Sequence, residues 1–253
     1  GFLAIIPIAY LFEAKKIKSE FRLDKKTFFI LSFLIGLSLF LGSALQQVAL
    51  LYTDVANAAF FTIFYVPMVP IIIFIFNRKS IHWSVWPSVF LCVIGGYLLT
   101  NFQDATVRLG DTLVLLGALF WSTHIIFTGI MVTKYNLPLT VGATQTLIVS
   151  LFSFIIGSIY EEFIFKNILN EIYSILYAGI LSGGIAFVLQ IYAQRNITPA
   201  PAAIIFSLEG VFATIAAWFL LNQILDINNL LGCFFILCGV LLSQLLPLIK
   251  EKA

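Results

Sequence analysis

Charge is what this 253-residue sequence has least of. Its 14 Lys and Arg and 12 Asp and Glu make up 10% of the chain, against about 25% in ordinary soluble domains, and 14 bases are too few to build a nucleic-acid face. Cysteine is scarce too. Cys92, Cys233 and Cys238 are odd in number, lie inside apolar runs and lack the spacing of a disulfide framework, metal knuckle or redox pair, so they read as small core side chains. Two histidines, His82 and His124, exclude a metal centre built on imidazole clusters. The acids and histidines that a membrane-embedded enzyme would gather at one membrane face are absent from the pattern, so neither catalysis nor a cofactor is expected.

What is there is hydrocarbon. Hydrophobic residues make up 61% of the chain and the mean hydropathy is +1.05, which excludes a soluble globular protein. A bilayer core about 30 Å thick needs roughly 20 apolar residues per helical crossing. Runs bounded by charge, Pro or Gly predict eight complete spans, near residues 28–51, 56–76, 84–101, 111–133, 138–160, 172–194, 200–222 and 227–248. Short connections such as 52–55 and 195–199 leave room only for antiparallel neighbours, so the expected fold is an all-α integral membrane bundle in which each helix satisfies its own backbone. Gly1 to Phe12 would rise only about 18 Å as a helix and has no basic leader or cleavage site. It reads as the tail of a helix whose beginning lies upstream.

The few charges orient the chain. Lys15, Lys16, Lys18, Arg22, Lys25, Lys26, Arg78, Lys79, Lys134, Arg195, Lys250 and Lys252 fall on one side of the spans. Only Arg108 and Lys166 fall on the other, beside Asp54, Asp104, Glu161, Glu162, Glu171 and Asp226. The positive-inside rule makes the base-rich side, with the C-terminus, cytoplasmic.

The sequence also repeats itself at an offset of 144 residues. Gln46 pairs with Gln190, Ala49 with Ala193, Ala58-Ala59 with Ala202-Ala203 and Gly95 with Gly239. The turn after Tyr52 lies on the base-poor side, its counterpart after Arg195 on the base-rich side, so the second copy is inverted. An odd number of crossings per copy requires this inversion. The expected repeats are 1–101 and 110–248, and inverted repeats typify secondary transporters, which bind substrate near the midplane between their halves.

The stretch Ala49-Leu-Leu-Tyr-Thr-Asp-Val-Ala-Asn-Ala-Ala-Phe60 with Tyr65-Val-Pro-Met-Val-Pro70, then Gly110-Asp111 leading to Phe120-Trp-Ser-Thr-His124, and Gln190-Ile-Tyr-Ala-Gln194 leading to Phe206-Ser-Leu-Glu209, resembles the EamA branch of the drug/metabolite transporter superfamily. The resemblance runs the length of the chain. It implies ten helices in two five-helix halves, the first and part of the second lying upstream of this chain, and export of small metabolites such as amino acids across a bacterial inner membrane. Three departures stand out. Where the family's fourth and ninth helices commonly end in Gly-Glu, this chain has Asn77-Arg78 and Asn222-Gln223, and Gly210 replaces the usual Pro after the glutamate of the ninth helix.

Glu209 is the sharpest candidate, because it sits near the centre of its span, where a bare carboxylate costs about 2.5–3.5 kcal/mol even on an insertion scale. It either exchanges a proton or binds a substrate ammonium, or it braces two helices as a neutral acid. Tyr65, its counterpart in the repeat, either donates to substrate or packs. Gln46, Gln190 and Gln194, with Gln47, Asn57 and Gln145, belong inside the bundle, as helix-to-helix bonds or as cavity groups. Gln190 and Gln194 lie four apart on one helix face. His124 is a proton relay or a structural histidine, with Trp121 beside it. Trp121, Phe206 and Phe212 are candidates for an aromatic lining. Gly179 and Gly183 form a small-xxx-small step, and Pro67 and Pro70 should bend their helix. The expected partners are the lipid bilayer and a small-molecule substrate, with proton coupling open and a monomer or homodimer equally compatible. A broad drug exporter and a passive channel are the alternatives.

The topology is directly testable. Single cysteines replacing Asp54 and Asp226 on a cysteine-free background should react with an impermeant maleimide from outside the cell, and those replacing Lys79 and Arg195 should not. Labelling of the Asp54 and Lys79 positions from one face would remove the inverted repeat.

Overall fold

The computed structural model describes residues 1–77, 81–100, 108–162 and 164–250. Arg78, Lys79, Asp104 and Lys252 lie outside the described residues. Every regular element in them is helical. Among the described residues seven stretches are long and apolar enough to cross a membrane: Lys25–Ala49, Val55–Phe76, Leu109–Tyr135, Pro138–Tyr160, Ile172–Ala193, Pro199–Leu220 and Ile227–Pro247. The remaining expected span, 84–101, forms a shorter helix, Val85–Leu99, of 15 residues.

One expectation needs correcting. The first helix, α1 (Phe2–Leu23), does not end near Phe12 but carries the bases from Lys15 onward as helix. Glu13 lies within it, and its buried carboxylate caps another helix. In α7 (Pro138–Tyr160), Pro138 occupies the first position and Leu137 has no side chain that could cap. The Leu139 and Thr140 amides donate to Glu13 at 3.0 and 2.8 Å, and the Thr140 hydroxyl adds a bond of 2.6 Å. A carboxylate there satisfies orphan donors and complements the helix dipole.

The chain forms two compact units, Gly1–Phe40 with Phe127–Ile197 and Leu41–Ile126 with Thr198–Ala253. Each combines a stretch from the first half of the chain with one from the second.

In the first unit α1 packs along α7. Asp24 starts α2 (Lys25–Ala49) by accepting the Thr27 amide at 3.2 Å, and pairs with Lys134 at 2.7 Å. The Lys134 ammonium first, and the Thr27 bonds after it, hold the Asp24 carboxyl down to about 2. Phe28 meets the ring of Tyr135 edge-on at 5.2 Å within a core that includes Ile35, Met131 and Val141. The span 172–193 is not one α-helix: α8 (Phe165–Asn170) and α9 (Ile172–Leu176) precede a ten-residue π-helical stretch, Tyr177–Ala186, and α10 (Phe187–Ala193) follows it. Gly179 and Gly183 lie in that stretch, against the backbone of Gly1.

The second unit holds α3 (Val55–Thr62), α4 (Tyr65–Asn77), α5 (Val85–Leu99), the first part of α6 (Leu109–Tyr135), α11 (Pro199–Phe206), α12 (Leu208–Leu221) and α13 (Ile227–Lys250). Its most extensive contact joins α5 to α13, and glycine makes it. A Cβ on Gly95 would stand 2.6 Å from Ile236 and 2.7 Å from the Gly232 carbonyl. One on Gly239 would stand 2.8 Å from the Cys92 sulfur and 2.8 Å from the Ser88 carbonyl. Moving each residue by 144 converts the first pair of contacts into the second. The contact is therefore its own image under the repeat, as a two-fold axis between α5 and α13 demands.

Asn222 closes α12 at φ 52°, the left-handed conformation that glycine usually supplies at a helix end and asparagine tolerates. The first Asn of the departed Gly-Glu pattern thus does the glycine's backbone task.

Gly95→Ala and Gly239→Ala should each lower stability by about 1–3 kcal/mol, the usual cost of overpacking, and by similar amounts. Gly179→Ala, whose Cβ would meet nothing nearer than 3.5 Å, should be tolerated. Thermal unfolding in detergent reads all three.

Candidate functional site

Two spans of the second unit are broken, and the breaks are related by the repeat. α3 ends at Ile63 and α11 ends at Ser207, 144 residues on. The first break has a cause in Pro67, which cannot donate to the Ile63 carbonyl and whose ring crowds it. The second has no proline. There the Ser207 hydroxyl turns back onto the Ile204 carbonyl at 2.6 Å and lies 3.4 Å from the Cys92 sulfur. The Ser207 amide is shared between the Ala203 and Ile204 carbonyls, and Gly210 follows. Back-bonding by serine tightens and bends a helix, and glycine lowers the cost of leaving the α ladder.

Each break presents a polar side chain at the start of the next half-helix. Tyr65 is the first residue of α4 and Glu209 the second of α12. Tyr65 is buried and Glu209 exposed, yet the phenol lies within electrostatic reach of the carboxylate and of the Cys92 thiol. Among the described residues no cationic side chain acts on Glu209 and its carboxylate takes no hydrogen bond. Its location in the first turn of α12 is favourable for an anion, because the half-helix directs its free amides there. Around Tyr65 gather Val66, Val69, Ala203 and Ile204, with Trp121 and Phe206 packed against them. The Ser122 hydroxyl approaches the Tyr65 carbonyl at 3.4 Å. The Trp121 indole lies over Gly42, where a Cβ would come within 3.3 Å of three ring atoms.

The structure thus brings Tyr65, Glu209, Trp121 and Phe206 to one locality. His124, fully buried, meets Trp121 edge-on at 6.1 Å. Phe212, 66% exposed, stands apart from that cluster. Gln46 donates to the Thr62 hydroxyl at 3.2 Å, a bond between α2 and α3. Gln190 and Gln194 belong to the first unit, at the end of α10, and differ in environment: Gln194 is buried and Gln190 half-buried. Gln145 is buried on α7 in that same unit.

Sequence reasoning passed over two carboxylates. Glu13 is the cap of α7. Asp111, 1% exposed, accepts the Arg108 amide at 2.8 Å and the Thr53 hydroxyl, so it closes the first turn of α6 as the acid of a capping box. Arg108 also pairs with Asp54. The Gly110-Asp111 pair carried the signal, since a Cβ on Gly110 would press on Ala49 and Thr53 at 2.6–2.8 Å.

A multi-pass bundle with a duplicated register and paired helix breaks is the architecture of a membrane transporter. Residues 108–245 match the EamA-like transporter family. An uncharacterized transporter of Archaeoglobus fulgidus is 30% identical over 219 residues, covering 84% of this chain and 68% of that one. The uncharacterized transporter YoaV of Bacillus subtilis is 24% identical over 257 residues, covering 96% and 84%. The chain belongs to the EamA-like transporter family. A solved crystal structure shares the fold at a TM-score of 0.72 with 15% identity, over 99% of this chain and 96% of that one.

The exposed, unpaired state of Glu209 has a chemical readout. N,N′-dicyclohexylcarbodiimide, which modifies accessible carboxyls in apolar surroundings, should label Glu209 and leave Asp111 untouched, as read by mass spectrometry of the two peptides. Labelling of Asp111 in preference to Glu209 would invert their assigned environments.

Proposed function

We propose that this chain is a secondary transporter that exports small metabolites bearing an amine, amino acids among them, across a bacterial inner membrane by alternating access. In this reading it lies with its C-terminus in the cytoplasm, as the distribution of bases demands. The observation that carries the proposal is the pair of repeat-related helix breaks at Ile63 and Ser207, followed by Tyr65 and Glu209. An ionised carboxylate in a membrane span needs a counter-charge. Among the described residues no cation acts on Glu209, which supports a proton or the ammonium of the substrate as that charge. Tyr65, Trp121 and Phe206 offer the aromatic faces against which a cation or an apolar side chain rests. Coupling to protons follows if the two cations compete for one carboxylate. Gln46 and His124 support the local architecture of the second unit, and Gln190 and Gln194 are the candidate polar groups of the first.

Glu209→Gln separates charge from shape, since the amide keeps the size and most hydrogen bonds but cannot ionise. Both Glu209→Gln and Glu209→Ala should reduce efflux from cells loaded with a metabolite panel to background, and Tyr65→Phe should impair it. Native rates in both Glu209 variants would remove Glu209 from the site and pass its role to Gln190 and Gln194. A broad drug exporter would show itself by efflux of unrelated lipophilic cations. A channel would show flux that neither saturates nor gives counterflow.

A further inference from the structure

Gly42 on α2 and Trp121 on α6 meet at close quarters inside the second unit. A Cβ on Gly42 would stand 3.3 Å from each of three consecutive atoms of the Trp121 pyrrole ring, Cδ1, Nε1 and Cε2. A point equidistant from three atoms of one ring lies on the axis through the ring's centre, so the bare side of Gly42 lies flat on the face of the indole and not against its edge. Carbon atoms in contact rest about 3.5–4.0 Å apart, and no side chain fits between the two residues. Gly117 permits the approach from α6. It lies one turn before Trp121 on the same helix face, and a Cβ there would stand 3.2 Å from the Gly42 carbonyl. His124 steadies the indole at its edge, with the two ring planes at 88°.

The Trp121 Nε1 is buried, yet the residue as a whole is half-buried. What remains open therefore lies elsewhere on the side chain, and the cluster around Tyr65 packs against it. We propose that Gly42 is a specificity-determining residue: buried behind Trp121, it sets the depth at which the indole lies, and so how bulky an apolar group the cargo can carry beside its amine. This rests on the amine-transport reading above. With only hydrogen at position 42 the indole lies back on α2. One methyl there drives it along the ring axis by a few tenths of an ångström, away from α2 and into the space in front. A wall that advances by less than a methyl group is felt only by cargo that fills the space. A methylene of misfit in an apolar pocket is worth about 10–200-fold, so a large group is refused while a small one still binds.

The test is calorimetric titration of the full chain in nanodiscs with two amines as their chlorides, ethylammonium and 2-phenylethylammonium, with empty nanodiscs as the background. The native chain should bind both. Gly42→Ala should weaken 2-phenylethylammonium about tenfold or more and leave ethylammonium within about twofold. Adding Trp121→Phe to Gly42→Ala removes the benzo ring that the methyl has pushed forward, and should return the larger amine to within about threefold of its native affinity. A packing defect with no part in selection would weaken both amines alike, and a smaller ring at position 121 would not relieve one of them. Equal weakening, an unchanged preference, no recovery in the double variant, or no binding of either amine by the native chain would overturn the proposal. Glu209→Gln, titrated in parallel, tests the amine reading by itself. Full binding of both amines there removes Glu209 from the site while the size dependence on Gly42 stands, and loss of both beside an unchanged preference in Gly42→Ala does the reverse.

Discussion

The close approach of α5 and α13 is the contact on which the rest of the second unit depends. Lipid tails are as apolar as leucine, so helices in a membrane gain little from hydrophobic burial against one another and associate by fitting closely. Gly95 and Gly239 let two backbones come within contact of each other's carbonyls. Since the contact maps onto itself when the copies are exchanged, neither copy sets the geometry alone. That gives the unit a local two-fold axis at α5 and α13, from which the packing of the broken helices departs, since α4 meets α11 while their register mates make no comparable contact among the described residues.

Given that axis, the differences between the copies carry the function. The first break is enforced by Pro67, a covalent constraint that persists in any conformation. The second is held by the Ser207 hydroxyl against Ile204 and Cys92, by a shared amide and by a glycine, all interactions that a conformational change can remake. The copy that carries the ionisable residue is thus also the copy whose bend is adjustable. Tyr65, by contrast, is buried against Val66 and Val69 beside a proline-fixed turn.

Most of the architecture was legible in the sequence because apolar runs and their period are a strong signal. The spans 138–160 and 227–248 were placed within two residues of α7 and α13, and the register of 144 emerged from Gln46, Gln190, Gly95 and Gly239. What was not legible was long-range or local in a way that hydropathy ignores. Within α1, Glu13 caps a helix more than 120 residues away, a contact no local pattern announces. The π-helical stretch at Tyr177–Ala186 keeps the same mean hydropathy as an α-helix would. At the site, Glu209 and Tyr65 stood out because polarity in an apolar span is conspicuous. The brace between Gln46 and Thr62 depends on which helices meet.

The departures from the family pattern make sense on the same footing. Replacing Gly by Asn at 222 preserves a left-handed helix end, so the backbone requirement survives the loss of the motif. Replacing the proline after the glutamate by Gly210 does something different. A proline one residue beyond Glu209 would lock that segment as Pro67 locks its own, whereas glycine leaves the backbone beside the carboxylate free to follow its state of charge. Pro67 in one copy and Gly210 in the other thus give the backbone beside Tyr65 and beside Glu209 unequal freedom, and the polar group without a fixed turn next to it is the carboxylate.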